Sequence, residues 1–148
     1  MHNDYIITTL EFPVSLSDIN AINALYAELA QDHPHQATHS RIASCVRSET
    51  SIVVIARLGG RIVGMASLFI VEKMTYAKGL VEDVAVDGVH HGQGLGNMLL
   101  EHTIAIATER GLAYVQLTSK PSRIAANQLY ERFGFRRIET NFWRLPLL

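Results

Sequence analysis

The chain has 148 residues, of which 48% are hydrophobic and 18% charged, with a formal net charge of -1. These values suit one globular domain spanning residues 1–148 and exclude a disordered or membrane-embedded chain. The near-neutral balance lacks the basic footprint of a nucleic-acid binder, or of a protein held to an anionic membrane surface. A single cysteine, Cys45, cannot form an internal disulfide, and "MHNDYIITTL" lacks the basic start and apolar core of a signal peptide. The longest apolar region is interrupted by Arg57, Gly59, Gly60 and Arg61, too soon to span a bilayer. A cytoplasmic protein is expected.

In chain order, "YIITTLEF" reads as a first strand. "SLSDINAINALYAELAQ" reads as a helix capped by Ser15 or Ser17, with Ile19, Ile22, Leu25, Tyr26 and Leu29 on one face. "DHPHQATHS" is a loop, and a short helix follows over 39–48. In "SIVVIARLGGRIVGMASLFIV" two β-branched runs flank Gly59-Gly60, a turn pair able to take positive φ, which predicts a hairpin. "GLVEDVAVD" is the next strand. A helix over 94–110 places Leu95, Met98, Leu99, His102 and Ile106 on one face and stops at Gly111. "AYVQLTS" is a strand and "SRIAANQLYERF" a helix, with Ala126, Leu129, Tyr130 and Phe133 at helical spacing. Gly134 ends that helix, and Phe135 can fold back onto Tyr130. "FRRIET" and "NFWRLPLL" are expected as closing strands. The strand-helix-strand segment over 80–118 implies a parallel pair with a right-handed crossover, while the hairpin implies antiparallel pairing. The expected fold is α/β: a mixed, mostly antiparallel sheet of six or seven strands with helices on both faces.

"HHGQGLGNMLL" places Gly92, Gly94 and Gly96 at a helix start. The first amides of a helix have no internal partner, and the dipole there favours negative charge. Bare glycines would let a diphosphate approach the amides of residues 92–97. The spacing alone also suits a plain strand-to-helix loop, and it is neither the dinucleotide fingerprint nor a P-loop. Taken together, "VEDVAVDGVHHGQGLGNMLL" and "AANQLYERFGFRR" resemble the GNAT superfamily of acetyl-CoA-dependent N-acetyltransferases. The element order and the length agree with that family over essentially the whole chain.

The resemblance implies a parallel strand pair splayed around the cofactor. It implies that Val84, Ala85 and Val86 pair with the pantetheine arm, and that His91, Gly92, Gln93, Gly94, Leu95, Gly96 and Asn97 form the pyrophosphate loop. His91 stands where the family has Arg or Gln. Tyr130 corresponds to the family tyrosine near the cofactor sulfur, a general acid. Arg123 occupies the position of an asparagine common in the family, and Asn127 is the nearby candidate for a cofactor contact.

Acyl transfer to an amine needs a base, because a free alkylamine has a pKa near ~10.4. Glu82 is the candidate base. Asp83 points to the opposite face of a regular strand, and one bulge would exchange the two. A backbone N–H near Val84 could stabilise charge on the thioester oxygen. No metal is expected: His33, His35 and His39 lack a supporting cysteine or helical spacing, and these histidines with Asp32 could instead wall the acceptor site. Trp143, Arg144 and Arg41 are further candidates to line it. Direct transfer to a small-molecule primary amine is the expected activity. The alternatives are a protein N-terminal or lysine acetyltransferase, or a non-catalytic acyl-CoA-binding regulator. The apolar tail "FWRLPLL" is compatible with a homodimer.

Overall fold

The computed structural model describes residues 4–29 and 36–148. Its elements are β1 (Ile6–Thr9), α1 (Leu16–Leu29), α2 (His39–Arg47), β2 (Ser51–Leu58), β3 (Arg61–Glu72), β4 (Ala77–Val86), a 3-10 turn (Gly88–His90), α3 (Leu95–Glu109), β5 (Val115–Gln116) and α4 (Ile124–Phe133). The strands lie in chain order in one sheet, with β1 to β4 antiparallel and β4–β5 parallel. This is the expected mixed sheet.

Local chemistry explains most of these elements. Ser15, rather than Ser17, caps α1, its Oγ accepting from Asp18 N at 3.1 Å. Thr38 caps α2 in the same way through Arg41 N. Gly59 and Gly60 both take positive φ, +56° and +82°, between the paired residues Leu58 and Arg61. That is the mirror-image turn whose twist matches the flanking strands. Arg57 reaches from β2 to grip both Asp18 carboxylate oxygens, at 2.7 and 2.8 Å, and donates to the Gly60 carbonyl. The start of α1 is thereby tied to the hairpin.

Side chains alternate between two faces. On one, Ala21, Ile22 and Leu25 of α1 and Ile42 of α2 bury against Ile55, Ile62, Met65 and Ala85. On the other, Leu95, Leu99 and Leu100 of α3 are buried. Close packing there depends on Gly64, where an added Cβ would lie 3.0 Å from Leu99 Cδ1. Among the described residues, no helix is long and apolar enough to cross a membrane.

Residues 1–118 form one compact unit and residues 119–148 a second. In the second, Gly134 takes φ +97° and Phe135 N donates to the Tyr130 carbonyl at 3.0 Å. Their rings meet edge-on at 5.9 Å, the expected fold-back of a helix C-cap.

Three strand expectations are corrected. "AYVQLTS" contracts to Val115–Gln116, and neither "FRRIET" nor "NFWRLPLL" forms a strand, so the described residues carry five strands. A strand exists only through a ladder partner, and an apolar pattern cannot supply one. Ile138, Phe142, Trp143, Leu145, Leu147 and Leu148 are instead exposed, and Pro146 has no N–H for a ladder.

Candidate functional site

The middle of β4 departs from regular pairing. Glu82 opposes Ser67 and Ala85 opposes Met65, so Asp83 and Val84 together stand against the single residue Ala66. This two-against-one count is a β-bulge. Asp83 carries it in the left-handed region, at φ +54°. The bulge raised from the sequence is therefore present, and the two carboxylates differ in exposure. Glu82 is exposed. Asp83 is half-buried, and its Oδ2 accepts from the Tyr26 hydroxyl of α1 at 2.8 Å. Burial pushes the Asp83 carboxyl above its ordinary range, while the Tyr26 bond draws it back. Burial, with the neighbouring Asp83 charge, raises the Tyr26 phenol in turn.

The other edge of β4 is open. β5 pairs with it only at Gly79 and Leu80. The strands are tight there: a Cβ on Gly79 would sit 2.7 Å from Leu68 Cδ1 and 3.0 Å from Val115 Cγ1. Beyond Leu80, residues 81–86 continue without a β5 partner. Val84, Ala85 and Val86 thus lie on a strand edge whose backbone groups can meet an extended ligand, as edge strands do.

At the end of β4 the chain is held from several sides. Asp87 N donates to Val63 O, and the Asp87 carboxylate accepts from Val89 N. Glu28, near the end of α1, accepts from Gly88 N at 3.1 Å. The His91 Nε2–H donates to the Val86 carbonyl at 2.8 Å, bracing the loop against β4. Tyr5, just before β1, donates its hydroxyl to Gln93 Oε1 at 2.7 Å, and its oxygen takes the Nδ1 proton of His90 at 2.8 Å.

The turn itself is bare. Gly92 and Gly94 both have φ +77°, and a Cβ on either would meet nothing within 4 Å. Gly94 is the N-cap of α3 with no side-chain cap, and the first intrahelical bond runs from Met98 N to Gly94 O. The amides of Leu95, Gly96 and Asn97 therefore have no intrahelical acceptor. Donors, helix dipole and clear space together fit a diphosphate.

Asn127 and Tyr130 belong to the second unit. Asn127 Nδ2 donates to the carbonyls of Lys120 and Arg123, both at 2.9 Å, stitching the first turn of α4. Tyr130 is buried, which raises its phenol pKa, and Arg123 acts in the opposite direction. A phenol is protonated in the neutral range already, and the upward shift acts in the same sense.

Elsewhere, a shallow open depression of about 560 Å³ lies beside β1, lined in part by Thr8, Glu11, Asp18, Arg57 and His102. None of its lining residues belongs to the glycine turn or to β4. Asp32, His33 and His35 lie outside the described residues, while His39 opens α2 with its ring edge-on to Phe12. No group of three metal-ligating side chains occurs among the described residues.

The profile of the Acetyltransferase (GNAT) family matches residues 19–135. The chain belongs to this family. A glucosamine 6-phosphate N-acetyltransferase of Trypanosoma brucei brucei is 41% identical over 83 residues, 54% of each chain. A [ribosomal protein bS18]-alanine N-acetyltransferase of Escherichia coli K12 is 36% identical over 72 residues, 49% of each. The matches therefore span about half the length of these curated relatives. A crystal structure of a Trypanosoma brucei acetyltransferase superposes with TM-score 0.78 at 31% identity, covering 97% of this chain and 100% of that one. An aminoglycoside acetyltransferase from a soil metagenome shares the fold, with TM-score 0.81 at 19% identity over 97% and 98% of the two chains.

Tyr5, Tyr26, Glu28 and His90 escaped the sequence reading. Tyr26 counted there only as an apolar-face residue. Its one readable signal was that a tyrosine on a buried face needs a partner for its hydroxyl.

Proposed function

We propose that this GNAT chain is an acetyl-CoA-dependent N-acetyltransferase acting by direct transfer on a small primary amine. The observation that carries the reading is the uncapped start of α3, with open space at Gly92 and Gly94, placed at the end of a strand that β5 leaves unpaired. The amides of residues 92–97 would hold the diphosphate, and the edge at Val84–Val86, which β5 leaves unpaired, would pair with the pantetheine arm. When bound, the cofactor supplies an activated acyl group as a thioester. Glu82, directly or through a water, takes the proton that the amine loses on attack. The Val84 amide, which lies in the bulge, would donate to the carbonyl oxygen as negative charge develops. Tyr130, by its correspondence to the family tyrosine, would supply a proton to the thiolate leaving group. Gln93 and His91 shape the loop, and Asn127 holds the start of the helix that carries Tyr130.

The relative acting on glucosamine 6-phosphate supports a small amine. The alanine N-acetyltransferase supports a second reading, a protein N-terminal amine. A cytoplasmic site of action belongs to the same proposal, supported by the single free thiol of Cys45. The exposed apolar residues from Ile138 to Leu148 support a self-associated form.

A panel of amino sugars, polyamines and alanine-ended peptides, assayed by thiol release from acetyl-CoA, tests the function. Turnover of an amino sugar or polyamine supports the leading reading, and turnover of peptides alone supports the second. No turnover of any amine, with no thermal stabilisation by acetyl-CoA, contradicts both. Tyr5→Phe removes the hydroxyl bonded to Gln93 and His90. It is expected to raise the Kd for coenzyme A about three- to tenfold by calorimetry, the size of one net hydrogen bond.

A further inference from the structure

Asp83 is, among the described residues, the one non-glycine residue with positive φ. That conformation is unfavourable for an L-residue, less so for aspartate than for most, and persists only where surrounding contacts impose it. The contact that imposes it here reaches over from α1. Tyr26 lies 57 positions away in sequence, packs against the apolar core of α1 and β3, and sends its hydroxyl to Asp83 Oδ2 at 2.8 Å. The β3 ladder brackets this step without dictating it: the register passes from Glu82–Ser67 to Ala85–Met65 with Asp83 and Val84 together facing Ala66, and β5 stops at Leu80. At such a bulge the directions of side chains and amides are set locally, so a contact on the bulged residue can decide them. Immediately beside the pinned residue stand Glu82 and Val84, whose placement the transfer reaction needs.

From this geometry we infer that Tyr26 is a positioning residue: its hydroxyl pins the β4 bulge through Asp83 and so fixes the Glu82 carboxylate and the Val84 amide. The inference rests on the acetyltransferase reading above. The glycine turn proposed to hold the diphosphate lies outside the pinned segment, which meets the cofactor only at Val84, so cofactor affinity should change less than turnover.

Four variants test it: Tyr26→Phe, Asp83→Ala, Asp83→Asn and the double variant Tyr26→Phe/Asp83→Ala. Tyr26→Phe keeps the ring and its packing, and is expected to lower kcat about tenfold with the acetyl-CoA KM within about threefold, as misplaced reacting groups do. Asp83→Ala should lose at least as much. Asp83→Asn retains both an acceptor for Tyr26 and tolerance of the left-handed region, and should recover most of the turnover. The double variant should be no slower than Asp83→Ala alone, because the two residues form one device. Amide hydrogen exchange gives a readout independent of turnover. Tyr26→Phe should speed exchange at Glu82, Val84 and Ala85 and leave the α1 amides unchanged. Wild-type kcat and unchanged exchange in Tyr26→Phe would overturn the pin. Asp83→Asn as slow as Asp83→Ala would overturn it too, by showing that the charge and not the hold is required. Wild-type protein that acetylates no amine, yet shows the exchange response, would contradict the enzymatic reading while leaving the pin intact.

Discussion

Gly94→Val is expected to abolish measurable coenzyme A binding, with Kd raised about 100-fold or more, while α3 still forms. Two effects act together. A β-branched residue at φ +77° is strained, so either the turn moves or the residue bears the cost. Its side chain would also project into the clear space above the turn, where the diphosphate is proposed to lie. Strain alone can be separated from obstruction. Gly111, beyond the other end of α3, has φ +69° and equally open surroundings. Gly111→Val should therefore lose similar stability, roughly 1–2 kcal/mol, and keep its affinity. Calorimetric titration of both variants with coenzyme A, alongside their Tm values, decides the matter. Equal loss of affinity in the two would remove the glycine turn from the binding site.

Glu82→Gln and Tyr130→Phe are each expected to lower kcat about 100-fold or more at neutral pH, the usual worth of a positioned base or acid, with coenzyme A affinity nearly intact. Their pH dependences should differ. An amine with a pKa near ~10.4 sheds its proton unaided as the pH approaches that value, so the Glu82→Gln deficit should shrink as the pH rises. The Tyr130→Phe deficit should persist across the neutral range. There the buried Tyr130 phenol, raised by desolvation, stays protonated and able to donate. Initial rates at saturating acetyl-CoA and amine between about pH 6.5 and 9.5 would show this, since the bracketing range follows from the amine. Full activity in both variants would remove these residues from the chemistry.

Features carried by neighbouring residues were legible in the chain. Gly59-Gly60 announced its hairpin, and Gly134 with Phe135 its helix stop, because each depends on φ values that few other residues take. The glycine turn was legible for the same reason, and the flanking "VEDVAV" and "NQLYERFGF" carried the likeness to the family that the profile match shows. What needed distant partners was less legible. "NFWRLPLL" has the apolar content of a strand, but pairing is a property of two segments. The bulge could be foreseen as an option because Glu82 and Asp83 stand side by side. That it occurs, and that Asp83 takes the strained conformation, depends on β3 and on a hydroxyl from α1. Tyr5 meets Gln93 from 88 positions away, and no local pattern encodes that meeting.

The most direct test of the phosphate cradle is an amide NMR titration of the isotope-labelled chain with coenzyme A. Binding at the start of α3 predicts the largest shifts at Gly92, Gly94, Leu95, Gly96 and Asn97, a second group at Val84, Ala85 and Val86, and little change along β1 or at Gly59-Gly60. Large shifts confined to the depression around Arg57 and His102, with the glycine amides unmoved, would contradict it.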